Sequence, residues 1–191
     1  MNDGLMGGFA DPVLDAQRCF RAILDAMSRP GLIRAVAGLH PPAPLCPAAA
    51  AALLALVDHE TPLWLDPIAA RARDWVAFHT GAPPARRIKD AAFVMALALP
   101  TLSTLNLGGH ETPEASTTVI LQVASLSQGP GYRLAGPGLA QPRILSVDGL
   151  PGDFVTQWQA NRRLFPRGVD VILCADDHIT ALPRTVTIEE A

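Results

Sequence analysis

The sequence predicts an α/β fold of three layers, α/β/α, with a mixed central sheet. The chain has 191 residues, of which 49% are hydrophobic and 17% are charged, as is typical of one folded domain and not of a disordered chain. Residues 117–124 form an apolar run with several β-branched residues, as expected of a strand buried on both faces. Candidate helices lie on either side of this run in the sequence, so both faces of the strand can be covered.

The first half of the chain alternates candidate helices and short strands. The first helix begins at Asp11-Pro12, because Asp11 can accept free amide hydrogen bonds and proline is tolerated in the first helical turn. It ends at Arg29-Pro30-Gly31. The other elements predicted here are a strand at 32–36, a proline-rich connector at 40–44, a helix at 47–57, a strand at 63–65, a helix at 66–79 and a strand at 91–99.

The second half is dominated by strands. After a loop at 101–112 and the central strand, Gly129-Pro130-Gly131 is predicted to turn the chain toward residues 132–134. A second turn is expected at Gly136-Pro137-Gly138. The remaining predicted elements are a strand at 142–147, a helix at 151–165, a strand at 169–174, a turn at 175–178 and a partner strand at 179–182. We expect residues 1–191 to form a single domain, with residues 1–10 as a flexible N-terminus.

Several function classes are disfavoured by composition. The net charge of -3 gives no reason to expect a nucleic-acid partner. The three cysteines lie far apart without CxxC spacing, which indicates neither a disulfide framework nor a zinc site and favours a reduced, cytoplasmic location. Residues 1–8 lack the features of a signal peptide, and no apolar run approaches the ~18 residues that a membrane span requires.

No cofactor is predicted. Lys89 is the sole lysine, and it lies beside Arg86-Arg87 in a predicted loop, a poor place for the amine that pyridoxal phosphate requires. No Gly-Lys pair exists for a P-loop, and Gly129-Pro130-Gly131 lacks the third glycine of a dinucleotide-binding turn. No GxSxG elbow is present either.

Three arginines are candidate ligand or partner contacts. Arg29, Arg167 and Arg184 each lie beside proline or glycine at the boundary of an element. Arginine suits bidentate contacts to phosphate or carboxylate, so three such loops could bind an anion or acidic residues of another protein. Glu60 or Glu114 would orient these arginines. The alternative is that all three are solvated surface residues.

The histidines give a weaker indication of chemistry. His79, at a predicted helix end, is a further candidate ligand or partner contact, and it is expected to interact with terminal carbonyl groups in preference to a metal. Asp58-His59-Glu60 and His110-Glu111 could hold a metal if the fold brought them together. We favour the alternative, in which the first group caps a helix end and the second belongs to a loop, so no metal is predicted.

Motifs along nearly the whole chain resemble the PhnH family, a subunit of the bacterial carbon–phosphorus lyase core complex. The motifs of the first half are Asp15-Ala16-Gln17, Phe20-Arg21, Ala26-Met27-Ser28-Arg29-Pro30-Gly31, Asp58-His59-Glu60-Thr61-Pro62-Leu63-Trp64-Leu65 and Phe78-His79-Thr80-Gly81-Ala82-Pro83. Those of the second half are Pro113-Glu114-Ala115, Leu121-Gln122-Val123-Ala124-Ser125-Leu126-Ser127, Phe165-Pro166-Arg167-Gly168-Val169-Asp170, Ile172-Leu173 and Leu182-Pro183-Arg184-Thr185. Residues 86–112 and 149–163 match least.

The resemblance implies a fold similar to the large domain of pyridoxal-phosphate-dependent transferases, without the cofactor. It implies PhnG, PhnI, PhnJ and PhnL as partners in phosphonate catabolism, and a homodimer when the protein is isolated. The complex converts phosphonate and ATP to ribose 1-phosphonate 5-triphosphate, and the family has no accepted catalytic residues.

The sequence is therefore compatible with three functions. The first is an accessory, non-catalytic subunit whose interface centres on large side chains, with Trp64, Trp75, Trp158 and Tyr132 as candidates that are more often core residues. The second is a phosphonate- or triphosphate-binding subunit that contributes arginines to a shared active site. The third is a metal hydrolase that uses His59, Glu60, His110 and Glu111.

Overall fold

A computed structural model describes residues 7–36 and 38–191. Within these ranges, the α-helices are α1 (Pro12–Ser28), α2 (Pro47–Leu56), α3 (Arg73–Thr80) and α4 (Phe154–Arg162). The strands are β1 (Arg34–Ala35), β2 (Leu63–Leu65), β3 (Phe93–Ala96), β4 (Thr118–Gln122), β5 (Ser125–Ala135), β6 (Arg143–Asp148), β7 (Asp170–Ala175), β8 (His178–Leu182) and β9 (Thr187–Glu190). Short 3-10 helices cover Pro67–Ala72, Ile88–Asp90, Leu102–Thr104 and Pro113–Ala115.

The main sheet is mixed and has β4 in its interior. Its order is β1-β8-β7-β4-β3-β2, with β2, β3, β4 and β7 parallel and with β8 antiparallel to both of its neighbours. Val119, Ile120 and Leu121 of β4 are fully buried. The sequence prediction of a central strand covered on both faces is therefore confirmed.

Alternate side chains of the main sheet enter two separate hydrophobic clusters. Met95, Ile120 and Ile172 pack with buried residues of α1, α2 and α3 on one face. Val119 and Leu121, with Val171 and Leu173, pack on the other face against α4 and a second sheet. This second sheet has the antiparallel order β6-β5-β9. The layered architecture with a mixed sheet is confirmed, but strands as well as a helix cover the second face.

Two elements differ from the sequence prediction. Gly129-Pro130-Gly131 was predicted to be a turn, but it lies within the continuous strand β5. The register between β5 and β6 shifts between Ser127 and Tyr132, so the Gly-Pro-Gly segment forms a bulge in place of a turn. Strand β9 was not predicted, because Ile188 is its sole buried residue.

Both predicted Asp-Pro helix starts are confirmed, although the second begins as a 3-10 helix. The Asp11 carboxylate accepts from the amides of Val13 (3.2 Å) and Leu14 (3.0 Å). The buried Asp66 carboxylate accepts from Ile68 N at 2.9 Å and from Leu97 N at 3.1 Å, so it also ties β3 to the end of β2.

Two loops approach neighbouring elements closely. Gly138, with φ +82°, lies so close to α1 that a Cβ there would overlap the carbonyl oxygen of Ser28. On the outer side of β2, Leu63 N donates to Pro83 O (3.0 Å) and Ala85 N donates to Leu63 O (2.9 Å).

The predicted flexible N-terminus lies partly outside the described residues. Of the predicted flexible segment 1–10, residues 1–6 lie outside the described residues, and Phe9 packs against the cluster that contains α1 to α3. No helix within the described ranges is long and apolar enough to cross a membrane.

Candidate functional site

Arg184 joins three segments of the chain at the amino-terminal ends of β4 and β7. Its guanidinium pairs with Asp170, the first residue of β7, through Nη2 to Oδ2 at 2.6 Å and Nε to Oδ1 at 3.1 Å. Its Nη1 donates to the carbonyl oxygens of Pro113 (3.0 Å) and Pro166 (3.3 Å), and Nη2 donates to Ser116 Oγ (2.7 Å). We call this set of residues the Arg184 junction.

The contacts of the Arg184 junction use every donor of the guanidinium. A guanidinium carries five N–H groups, and the acceptors above account for all of them. The ion pair is also shielded, since the Arg184 and Asp170 side chains are 14% and 15% exposed. The geometry therefore gives Arg184 a structural role and leaves no donor for a ligand.

Arg167 and Glu114 lie next to residues of the Arg184 junction. Arg167 follows Pro166, and Glu114 follows Pro113, so two of the predicted site residues are adjacent to junction acceptors. The Glu114 side chain is exposed. Arg167 is half-buried, and its Nε is buried without a hydrogen-bond partner among the described residues. A buried donor without a partner costs free energy of folding. Among these residues, Arg167 is therefore the one with a donor that a ligand could pair with.

Arg29 belongs to a different surface. Its guanidinium pairs with Asp25, and so does that of Arg34, whose Nε lies 2.6 Å from Asp25 Oδ2. These three residues and Arg21 line an open recess of about 460 Å³ at the end of α1, which we call the Arg29 recess. Arg29 shares no contact partner with Arg184 within the described residues. The structure thus does not bring the three predicted arginines to one anion site through common contacts.

Glu60 lies in the turn between α2 and β2, and His79 lies in α3. Glu60 is exposed in the turn before β2, and its amide donates to Asp58 Oδ1 at 2.9 Å, which lowers the pKa of the Asp58 carboxyl group. His79 is in the last turn of α3, and its ring packs on Trp75 (4.6 Å between centroids) and on Phe78 (5.1 Å). Gly8 lies against the same ring. Packing thus fixes the His79 ring in place.

The metal alternative gains no geometric support. In residues 7–36 and 38–191, no group of three or more His, Cys, Asp or Glu side chains is arranged to hold a metal ion. His59, Glu60, His110 and Glu111 all lie on exposed loops.

The large aromatic candidates for an interface lie mostly in the core. Trp75 is 1% exposed, and the fully buried Trp158 donates from Nε1 to Val186 O at 2.9 Å. Trp64 and Tyr132 are half-buried and pack against the second cluster. The exposed large apolar side chains are concentrated elsewhere, on α1. The sequence carries a signal for this, since apolar residues of α1 fall on more than one face of the helix.

Cys19 and Cys174 are buried core residues, and Cys46 is half-buried at the start of α2. Burial raises the pKa of the Cys19 thiol to about 12 and also raises that of Cys174 well above the ordinary value. Cys46 caps α2, where its Sγ accepts from Ala49 N at 3.5 Å, and burial raises its pKa as well. Thiols of this kind are poor nucleophiles.

Comparison with known proteins gives a consistent result over nearly the full chain. Residues 7–189 match the family described as "Bacterial phosphonate metabolism protein (PhnH)". A protein of Rhizobium meliloti (strain 1021), named alpha-D-ribose 1-methylphosphonate 5-triphosphate synthase subunit PhnH, is 42% identical over 190 residues, which cover 96% of this chain and 94% of the relative. HtxG of Stutzerimonas stutzeri, named as a proposed C–P lyase subunit, is 35% identical over 180 residues, which cover 90% of this chain and 85% of that protein.

Proposed function

The chain belongs to the PhnH family, and on that premise we propose that it is an accessory subunit of a carbon–phosphorus lyase complex. In this role it supports the conversion of phosphonate and ATP to a ribose 1-phosphonate 5-triphosphate. The observation that carries the proposal is the similarity of this chain, over 96% of its length, to a relative named as a synthase subunit.

The geometry of the predicted site favours an accessory role over a catalytic one. Arg184 directs all of its donors into the Arg184 junction, and the His79 ring is packed between aromatic neighbours. Both are roles in holding the fold together. The buried thiols, with raised pKa values, are equally unsuited to nucleophilic chemistry.

Co-purification tests the accessory role. The tagged chain is expressed with PhnG, PhnI and PhnJ from the same source, and the mass of the purified material is measured by light scattering. We expect an assembly several-fold larger than the 20.2 kDa chain. If the chain purifies alone while the other three subunits assemble without it, the proposal is wrong.

A second candidate function is anion binding at Arg167, because its buried Nε lacks a partner within the described residues. The ligand would be a phosphonate or a triphosphate, with Glu114 orienting the guanidinium. Millimolar inorganic triphosphate should then raise the melting temperature of the wild type, as any ligand of the native state does, and have a smaller effect on Arg167→Ala. Equal shifts in both proteins would count against this candidate.

Several finer features are also part of the proposal. We infer that residues 1–191 form one domain, which is supported by the main sheet that both hydrophobic clusters share. We also propose a likeness to the large domain of pyridoxal-phosphate-dependent transferases, a homodimer in isolation and contacts with PhnL, as the resemblance to the family implies. The three free cysteines support a reduced, cytoplasmic location.

A further inference from the structure

Helix α1 exposes large apolar side chains along one side. Val13, Phe20 and Leu24 are 67%, 49% and 57% exposed, whereas Cys19 and Ile23 are buried beneath the same helix. Residues 13, 20 and 24 are separated by seven and then four positions, which places them in one row on a helix. We call Val13, Phe20, Arg21 and Leu24 the α1 outer face. Clustered exposed apolar side chains of this kind mark contact sites for other molecules.

Two adjoining recesses run along the α1 outer face. One has a volume of about 370 Å³ and is lined by Val13, Phe20 and Arg21 among others. The other is the Arg29 recess, which Leu24 also lines. Arg21 borders both recesses, so the row of apolar side chains and the recesses form one continuous surface. Recesses beside a row of exposed side chains can receive the side chains of a partner helix.

The charge of this surface is positive and incompletely neutralised. The Arg29 recess is lined by three guanidinium groups and by a single carboxylate, that of Asp25, which pairs with Arg29 and Arg34. Arg21 is exposed and takes part in none of the ion pairs found among the described residues. An arginine without a carboxylate, next to exposed apolar side chains, is a common centre of binding energy at interfaces. The complementary partner has carboxylates beside apolar side chains.

We propose that the α1 outer face docks an amphipathic, acidic helix of another subunit of the complex. In this arrangement the partner's apolar side chains pack on Phe20 and Leu24, and a glutamate or aspartate pairs with Arg21. The spacing of the exposed residues on α1 matches the row that a second helix presents, which is why a helix fits better than an extended segment. The inference rests on the proposed function, because it identifies the surface through which the subunit joins its assembly.

The test compares two pairs of exposed apolar residues. A double variant, Phe20→Arg with Leu24→Arg, is co-expressed with PhnG, PhnI and PhnJ. The matched control is Ile68→Arg with Phe165→Arg, because these side chains are 71% and 63% exposed and neither belongs to α1. We expect at least a tenfold loss of the chain from the assembly for the first pair and no loss for the control. Arg21→Glu should also weaken retention, and retention of the wild type should fall as salt is raised.

The co-expression experiment distinguishes failure of the proposed function from failure of the docking surface. If the wild type joins no assembly, the proposed function fails and this inference fails with it. If the wild type and the Phe20/Leu24 variant are retained equally, only the docking surface is wrong. Because every substituted residue is exposed, we expect all variants to fold. Melting curves close to that of the wild type would confirm this.

Two other occupants give distinct results. A dimer of the isolated chain that the Phe20/Leu24 variant dissociates, together with unchanged assembly, would assign the surface to a second copy and contradict the proposal. A rise in melting temperature with inorganic triphosphate that Arg21→Glu abolishes, again with unchanged assembly, would assign the Arg29 recess to a phosphate ligand and contradict it as well.

Discussion

At the scale of single residues, Arg184 shows how a predicted ligand contact becomes a structural one. The guanidinium pairs with Asp170 of β7, and it also bonds the segment before β4 and the loop before β7. Its acceptors are 14 to 71 positions away in the sequence. Because the pairing is not local, no motif around Arg184 could predict it, and its position next to Pro183 indicated only that it lies at the boundary of an element.

Replacement of Arg184 by alanine should be strongly destabilising. The change leaves Asp170, which is 15% exposed, without its cation. Three further hydrogen-bond acceptors also lose the donor that Arg184 provides. Removing one partner of a shielded pair costs about 3 kcal/mol. Urea unfolding followed by circular dichroism measures this loss.

The control for this prediction is Arg87→Ala. Arg87 also pairs with an aspartate, Asp90, but both side chains are exposed. The urea midpoint of unfolding should therefore hardly change. Equal effects of the two substitutions would show that the Arg184 junction does not stabilise the fold.

The cysteine environments predict a dependence of stability and reactivity on pH. Burial raises the pKa of Cys19 from 9.0 to about 12, so the folded state favours the protonated thiol. This contribution to stability is complete below pH 9, the unfolded value, and is lost as the pH rises toward 12. We therefore expect the free energy of unfolding to fall between pH 9 and pH 11, and to fall less in Cys19→Ala.

Thiol labelling gives an independent measurement of the same burial. At pH 8 the half-buried Cys46 should react with Ellman's reagent well before Cys19 and Cys174, which are buried. All three should react quickly in denaturant. Equal rates for the three thiols in the native protein would contradict the described burial.

At the scale of elements, the contact between the turn after β5 and the end of α1 depends on one glycine. Gly138 has φ +82°, and a Cβ at this position would overlap the Ser28 carbonyl oxygen. We expect Gly138→Ala to cost about 2–3 kcal/mol, because both the backbone conformation and the close approach exclude a side chain. Gly152→Ala is the control, since a Cβ at Gly152 meets open space. Urea midpoints of the two variants should differ clearly, and similar midpoints would contradict the close packing.

The elements that the sequence predicts well are those fixed by interactions between residues close in the chain. Asp11 and Asp66 cap the segments that follow them, and capping needs residues only two to three positions away. Gly129-Pro130-Gly131 misleads because the same residues favour turns and bulges, and only the pairing of β5 with β6 selects the bulge. For β9, pairing with β5 compensates for a segment in which Ile188 alone is buried.

At the scale of the whole molecule, β4 and β7 form the centre of the main sheet. Each has hydrogen-bonded neighbours on both sides, and their side chains enter both hydrophobic clusters. Hydrogen exchange measured by mass spectrometry should therefore be slowest in peptides from β4 and β7, and faster in those from β1 and β2 at the edges. Faster exchange in β4 than in β2 would contradict the strand order.

The candidate site was predicted less well than the fold, for a reason that concerns the whole molecule. Buried runs such as residues 117–124 show their environment in their composition, whereas contacts between arginines and distant acceptors do not. The sequence identified Arg29 as a candidate contact. It could not predict the exposure of Phe20 and Leu24 on the same helix, because this exposure depends on how α1 packs against α2 and β8.

The edges of the main sheet limit the pairing of this sheet with strands of other molecules. β1 has only two residues, and the open side of β2 is bonded to residues 83–85, where Pro84 has no amide hydrogen to offer. An incoming strand therefore finds almost no free backbone at either end of the main sheet. Recruitment into a larger assembly by main-chain pairing at this sheet is disfavoured, and the same shielding opposes edge-to-edge aggregation through the main sheet of a chain that is 49% hydrophobic.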